Sequence, residues 1–149
     1  MTTGPSIIVT ALTSKGDALA RLAEVGFRRF GSWSLSGSGK LVASLDEDAS
    51  GPGVLYAFVS LREVLYVGKT TRSLRSRMRG YQRPGPTQRT NAAVHHTITE
   101  LLGSHRSLDI YAFAAPAALR HGTFDVNLAA GLEDAIIRDL RPPWNHVGK

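Results

Sequence analysis

Residues 54–60, Val-Leu-Tyr-Ala-Phe-Val-Ser, and residues 63–67, Glu-Val-Leu-Tyr-Val, are two β-rich runs with only Leu61 and Arg62 between them. So short a connection pairs them as antiparallel strands. The second run closes on Tyr66-Val67-Gly68-Lys69 and opens a stretch carrying Arg72, Arg75, Arg77, Arg79, Arg83 and Arg89. No Asp or Glu falls between Glu63 and Glu100. The chain has 18 Lys+Arg against 12 Asp+Glu; without Lys69 and those six arginines, 11 bases face 12 acids. One segment therefore carries the whole basic character, and a polyanion is its natural partner.

Working outward, residues 14–25 read as a short helix with Ser14 as its N-cap and Gly26 as its stop. Trp33–Leu35 and Leu41–Leu45 alternate across Ser36-Gly-Ser-Gly39 and suggest a hairpin. Asp46–Gly53 is acidic, rich in Gly and Pro, and reads as a linker or loop. Beyond the central pair come a helix over Ser73–Tyr81, a loop over Gln82–Arg89, a helix over Asn91–Leu102 and a strand over Leu108–Ala114. A last helix over Asn127–Leu140 is stopped by Pro142-Pro143. The expected fold is α+β: a small, three-stranded, mostly antiparallel sheet flanked by helices. Residues 1–52 form a helix-and-hairpin extension, and residues 53–149 form the main domain.

A hydrophobic content of 42% over 149 residues suffices for a real core. The absence of cysteine excludes disulfides and thiolate metal sites and fits a reducing compartment. Ile7-Ile8-Val9 is too short an apolar run for a signal peptide or membrane span. The expectation is a cytoplasmic, basic protein with no membrane partner. A sequence pI near 10.2 points to nucleic acid.

On a helical wheel, Leu74, Met78 and Tyr81 share the inward face of the first arginine-rich helix, while Arg75 and Arg79 lie on another face that suits solvent or general phosphate contacts. Arg77 flanks the apolar stripe beside Tyr81, as either a snorkelling rim residue or a functional one. On the last helix, Leu128, Ala129, Leu132, Ile136, Ile137 and Leu140 form the apolar arc, and Glu133 falls inside it. A carboxylate there needs a salt-bridge partner or a hard divalent cation. Two decoys fail. Gly68-Lys69-Thr70 resembles the end of a phosphate-binding P-loop, but Glu63 stands where that motif needs glycine. His95 and His96 are adjacent, so on a helix they point about 100° apart and cannot share a metal.

Val54-Leu55-Tyr56, Tyr66-Val67-Gly68-Lys69, Arg77 on the following helix, and Glu133 twelve residues before Asn145 in an Arg-Pro-x-x-Asn ending together resemble the GIY-YIG nuclease domain. The likeness covers roughly residues 53–146. Val54 stands where the family has its first glycine, with Gly53 one place earlier; Tyr81 stands where some members have histidine. The resemblance implies that Glu133 holds one divalent metal, Mg²⁺ or Mn²⁺, and that Arg77 donates to phosphate oxygens. It implies Tyr56 as general base, its pKa lowered by Lys69, Arg77 and the metal, with Tyr66 orienting water, Tyr81 beside them and Asn145 bracing the site.

The function expected is therefore a metal-dependent endonuclease acting on DNA. The alternatives are a non-catalytic nucleic-acid-binding module and a structure-selective or RNA-directed nuclease. Arg72, Arg75, Arg79, Arg83 and Arg89 suit successive phosphates. Gln88, Arg89 and Asn91 suit base edges. Phe27, Phe30 and Trp33 are read first as core and second as bases' stacking partners. With so small an extension, specificity is expected to be limited or obtained by forming a homodimer.

Overall fold

A computed structural model describes residues 17–116 and 119–146. The elements run α1 (Ala18–Val25), β1 (Arg28–Leu35), β2 (Leu41–Leu45), β3 (Val54–Ser60), β4 (Glu63–Thr70), α2 (Leu74–Gln82), α3 (Arg89–Gly103) and β5 (Leu108–Ala114). A two-residue hairpin follows, β6 (Arg120–His121) with β7 (Phe124–Asp125), then α4 (Leu128–Leu140) and a 3₁₀ turn (Pro143–His146). The architecture is α+β, as expected, but the main sheet has five strands and not three. Its order is β2-β1-β5-β3-β4, and every neighbouring pair is antiparallel. The two extra strands are the N-terminal hairpin, which joins the sheet through β1 and β5.

Helices cover both faces of this sheet. Val54, Tyr56 and Phe58 of β3 pack with Leu74, Met78 and Tyr81 of α2 and with Val94 and Ile98 of α3. Leu55, Ala57 and Val59 point the other way, against Leu19 and Leu22 of α1 and Ile136 of α4. Burial on both sides explains why β3 reads as an unbroken apolar run: all seven of its residues are buried. Phe27, Phe30 and Trp33 are buried too, which settles them as core. The first helix is capped by Asp17, whose carboxylate accepts from the Ala20 N–H at 3.1 Å; Ser14 lies outside the described residues.

Two local features set the register that the site needs. Leu61 and Arg62, both at positive φ (50° and 67°), make the tight turn between β3 and β4. The pairing then slips: Val59 faces Val64, but Phe58 faces Tyr66. Leu65 is the extra residue of a β-bulge, so Leu65 and Tyr66 both join the α2 face of the sheet. Without that bulge, strict alternation would turn the Tyr66 ring away from Tyr56.

The exposed edge of β4 is closed by a side chain. Asn145, in the 3₁₀ turn, accepts from the Val67 N–H at 3.0 Å and donates to the Val67 carbonyl at 2.8 Å. Its amide substitutes for a neighbouring strand and satisfies an edge that would otherwise stay open. Replacing it by alanine leaves two backbone groups unpaired. We expect Asn145→Ala to lower unfolding stability by about 2 kcal/mol in denaturant titration; a loss under about 0.5 kcal/mol would show that the clamp is dispensable.

Candidate active site

Four side chains predicted from sequence converge on the α2 face of β3 and β4. Arg77, half-buried on α2, donates through Nε to the Tyr56 hydroxyl at 3.0 Å and through Nη2 to the Tyr81 hydroxyl at 2.8 Å. Its guanidinium carbon also sits 4.2 Å from the centre of the Tyr81 ring. The Tyr56 and Tyr81 hydroxyls are 2.7 Å apart, and Tyr81 donates to Tyr66 at 3.3 Å. With the single Tyr81 proton committed to Tyr66, Tyr56 must donate to Tyr81. The network therefore runs in one direction, Arg77 to Tyr56 to Tyr81 to Tyr66. The Tyr66 proton is the one it leaves over.

Glycine makes the arrangement possible. Gly68 faces Tyr56 across the β3–β4 ladder, and a Cβ there would lie 2.5 Å from the Tyr56 hydroxyl. The glycine of Tyr-Val-Gly is thus the slot into which the phenol fits. Gly53 serves α4 in the same way: a Cβ on it would lie 2.4 Å from the Ala129 Cβ. It lets the helix carrying Glu133 approach the start of β3.

The protein's own cations do not lower the Tyr56 pKa. Tyr56 is only 1% exposed, and burial pushes its phenol well above the ordinary tyrosine value, more strongly than Arg77 pulls it down. Burial also raises Tyr81, reinforced by the neighbouring Tyr56 and Tyr66. Both phenols stay protonated at neutral pH. The attraction of one cation cannot offset a site closed from above by α2 and from the sides by Phe58 and Tyr66.

Asn91 departs from its expected role as a base reader. It is 8% exposed in the first turn of α3, and its carbonyl oxygen accepts from Arg77 Nη2 at 3.1 Å. Its amide nitrogen donates to Gln88 Oε1 at 3.1 Å, and the same oxygen accepts from the Gly85 N–H at 2.9 Å. Gln88 and Asn91 thus hold Arg77 from behind. A wheel drawn for one helix cannot show this contact, because the partner comes from the next helix. Arg77 Nη1 makes no hydrogen bond among the described residues and borders a polar cleft of about 410 Å³. Lys69, Thr70, Thr71, Arg72, Ser76 and Gly80 supply the rest of its wall.

Arg72, Arg75, Arg79, Arg83 and Arg89 are exposed. The Arg75 guanidinium stays 4.0 Å from the Asp48 carboxylate, which accepts from the Arg75 backbone N–H at 2.9 Å. Glu133 is half-buried on α4, which packs on the opposite face of the sheet through Leu132, Ile136 and Ile137. Arg77 and Glu133 therefore flank the edge strand β4 from its two sides, and Asn145 clamps that strand between them. His95 is a packing residue, its Nδ1 donating to the Tyr81 carbonyl at 2.7 Å; His96 lies outside, 3.2 Å from Glu100. Among the described residues no three His, Asp or Glu side chains converge as a metal cage.

No known family model matches the chain, and no curated protein matches it by sequence. Comparison with solved structures does find a match, to a mutant of EndoII from bacteriophage T4. The two superpose with a TM-score of 0.69 over 87% of this chain and 98% of that one, at 21% identity. This chain has the EndoII fold. A restriction endonuclease, HPY188I, solved in complex with product DNA, is a more distant match (TM-score 0.47, 18% identity, 75% of this chain and 72% of that one).

The raised phenols yield a test. An unfolded tyrosine ionises near pH 10, whereas Tyr56 and Tyr81 hold their protons beyond that in the folded state. Their contribution to stability is complete below about pH 10 and falls as pH rises further, because the unfolded chain then binds fewer protons. Alkaline titration followed by phenolate absorbance should leave two tyrosines un-ionised until the protein unfolds. Smooth ionisation of all four near pH 10 in the folded protein would contradict the buried network.

Proposed function

We propose that this protein is a divalent-metal-dependent endonuclease of the GIY-YIG type, hydrolysing DNA phosphodiester bonds. The observation that carries the proposal is Arg77: a half-buried guanidinium fixed by two phenols and an amide, with Nη1 left for the polar cleft. A residue that served only to complete the core would have no need of that geometry. The fold shared with EndoII and the run of exposed arginines around the cleft support the same reading.

Hydrolysis requires that charge building on the phosphate be met by donors already in place. Arg77 supplies them. Its orientation is set by Tyr56, Tyr81 and Asn91, so little reorganisation is needed when its Nη1 hydrogens meet a non-bridging oxygen. Tyr56 positions Arg77 by accepting from its Nε, a role in place of general base. Tyr66 ends the hydrogen-bonded chain with a proton to offer, so it takes on the orientation of water or of a phosphate oxygen. Lys69 and Arg72, on the same wall, neutralise adjoining charge.

A single half-buried carboxylate suits a magnesium ion, which keeps several waters and binds through one or two protein carboxylates together with substrate phosphates. Glu133 is the residue that would hold it, and the ion when bound supplies Lewis-acid stabilisation of the phosphate. DNA is favoured as the polyanion by the broad basic surface. Limited sequence specificity follows from the inward turn of Asn91, which removes one of the side chains otherwise able to read bases.

With supercoiled plasmid and Mg²⁺ or Mn²⁺, the parent protein should cleave and Glu133→Ala should not. Arg77→Ala should lower the rate by roughly 10²–10³-fold, the cost of losing a transition-state donor, while DNA affinity changes only a few-fold. Arg79→Ala should instead leave turnover alone and reduce the salt slope of binding by about one. Retardation without cleavage of plasmid, branched DNA and RNA alike would establish a binding module in place of an enzyme.

A further inference from the structure

At the other end of α2 a second cleft opens, of about 530 Å³, with Leu41 and Val42 in its floor beside polar residues. Lys40 and the Ser36–Gly39 turn contribute from the β1–β2 hairpin, Gln82 and Arg83 from the end of α2, and His95 and Thr99 from α3. Its wall carries two fixed cations and an imidazole, and no carboxylate. The cleft is firmly built. Gln82 Oε1 accepts from the Ala43 N–H at 3.1 Å, pinning the hairpin edge to α2, and His95 Nδ1 pins α3 to the Tyr81 carbonyl at 2.7 Å.

Its cations are among those the described carboxylates leave unpaired. Arg28 is paired with Glu47 at 2.6 Å, Arg62 with Asp17 at 2.8 Å, and Arg138 with Asp134 at 2.9 Å. Lys40 and Arg83 have no salt bridge among the described residues. The turn beside Lys40 is also bare: no atom lies within 4 Å of where a side chain on Gly37 or Gly39 would begin. The Gly39 and Lys40 N–H groups are bonded within the turn, to the Ser36 carbonyl and hydroxyl, so what this rim offers a ligand is room for close approach. Unpaired cations around a preformed concavity, with room for close approach at its rim, suit a phosphate.

We propose that this cleft is a second phosphate subsite, filled by the backbone of the same nucleic acid whose scissile phosphate lies at Arg77. The position of that first phosphate rests on the nuclease reading above. Arg77 and Arg83 are six residues apart, about 9 Å along the helix. For a duplex running along this helix, at about 3.4 Å of rise per nucleotide on one strand, the subsite would lie roughly three nucleotides from the cleavage point. The N-terminal hairpin is then part of the substrate platform as well as of the sheet.

The test is read by binding, in metal-free buffer and without cleavage, so an inactive protein would sink the nuclease reading while leaving this one standing. Anisotropy of a labelled 16-base-pair duplex should show Lys40→Glu binding at least about tenfold more weakly at low salt, with a salt slope smaller by one or more. Arg120→Ala, which removes a cation already paired with Asp125, should bind as the parent does. Because the chain has no cysteine, Lys40→Cys provides a single thiol, and this milder change also serves if the charge reversal disturbs folding. Duplexes carrying a thiol tether at successive phosphates should form a disulfide with it at one or two neighbouring positions. Unchanged affinity in Lys40→Glu, or weakened affinity with no position-dependent disulfide, would overturn the subsite.

Discussion

The candidate site depends on one constraint: a guanidinium must be held at a chosen angle beneath a cleft while the phenols that hold it are sealed from water. Arg77 meets Tyr56, Tyr81 and Asn91 through Nε and Nη2 alone, keeping Nη1 for the cleft. Each support has its own requirement. Tyr56 needs the missing side chain of Gly68. Tyr66 needs the bulge at Leu65 to bring it to the same face. Asn91 needs Gln88 and the Gly85 turn behind it. Sealing the phenols has a chemical consequence: burial raises both above the ordinary tyrosine value, so they keep their protons near neutral pH in the arrangement seen here.

The sheet's two edges are handled alike. β4 is closed by the Asn145 amide and β2 by the Gln82 amide, each accepting from a backbone N–H on an open strand. Asn145 joins the chain leaving α4 to the strand that separates Glu133 from Arg77. Gln82 joins the end of α2 to the N-terminal hairpin. Closing an edge thus also ties a helix end or a turn to the sheet, which accounts for an amide at each of these positions in place of an apolar side chain.

Much of this was legible in the sequence, for reasons tied to particular residues. The β3–β4 pair followed from the short Leu61-Arg62 link, and the inward stripe of α2 from the spacing of Leu74, Met78 and Tyr81. Arg77 stood apart from Arg75 and Arg79 by angle alone. What stayed hidden was long-range. Pairing of β1 with β5 joins residues about 80 apart and leaves no local trace, so the hairpin read as an extension and the sheet as three-stranded. A bulge adds one residue without altering composition, so nothing announced the turn of Tyr66. The rise of the Tyr56 pKa depends on burial by elements before and after it, whereas the sequence displayed only the nearby positive charge.

A double-mutant cycle between Arg77 and Tyr56, read as kcat/KM on DNA, tests the central claim most directly, that the phenols act on substrate through the arginine they hold. With Arg77→Ala, Tyr56→Phe and the pair combined, strong coupling is predicted: the double variant should be about as slow as Arg77→Ala alone. Losses that simply add would contradict the account, because Tyr56 would then be contributing to the reaction independently of Arg77.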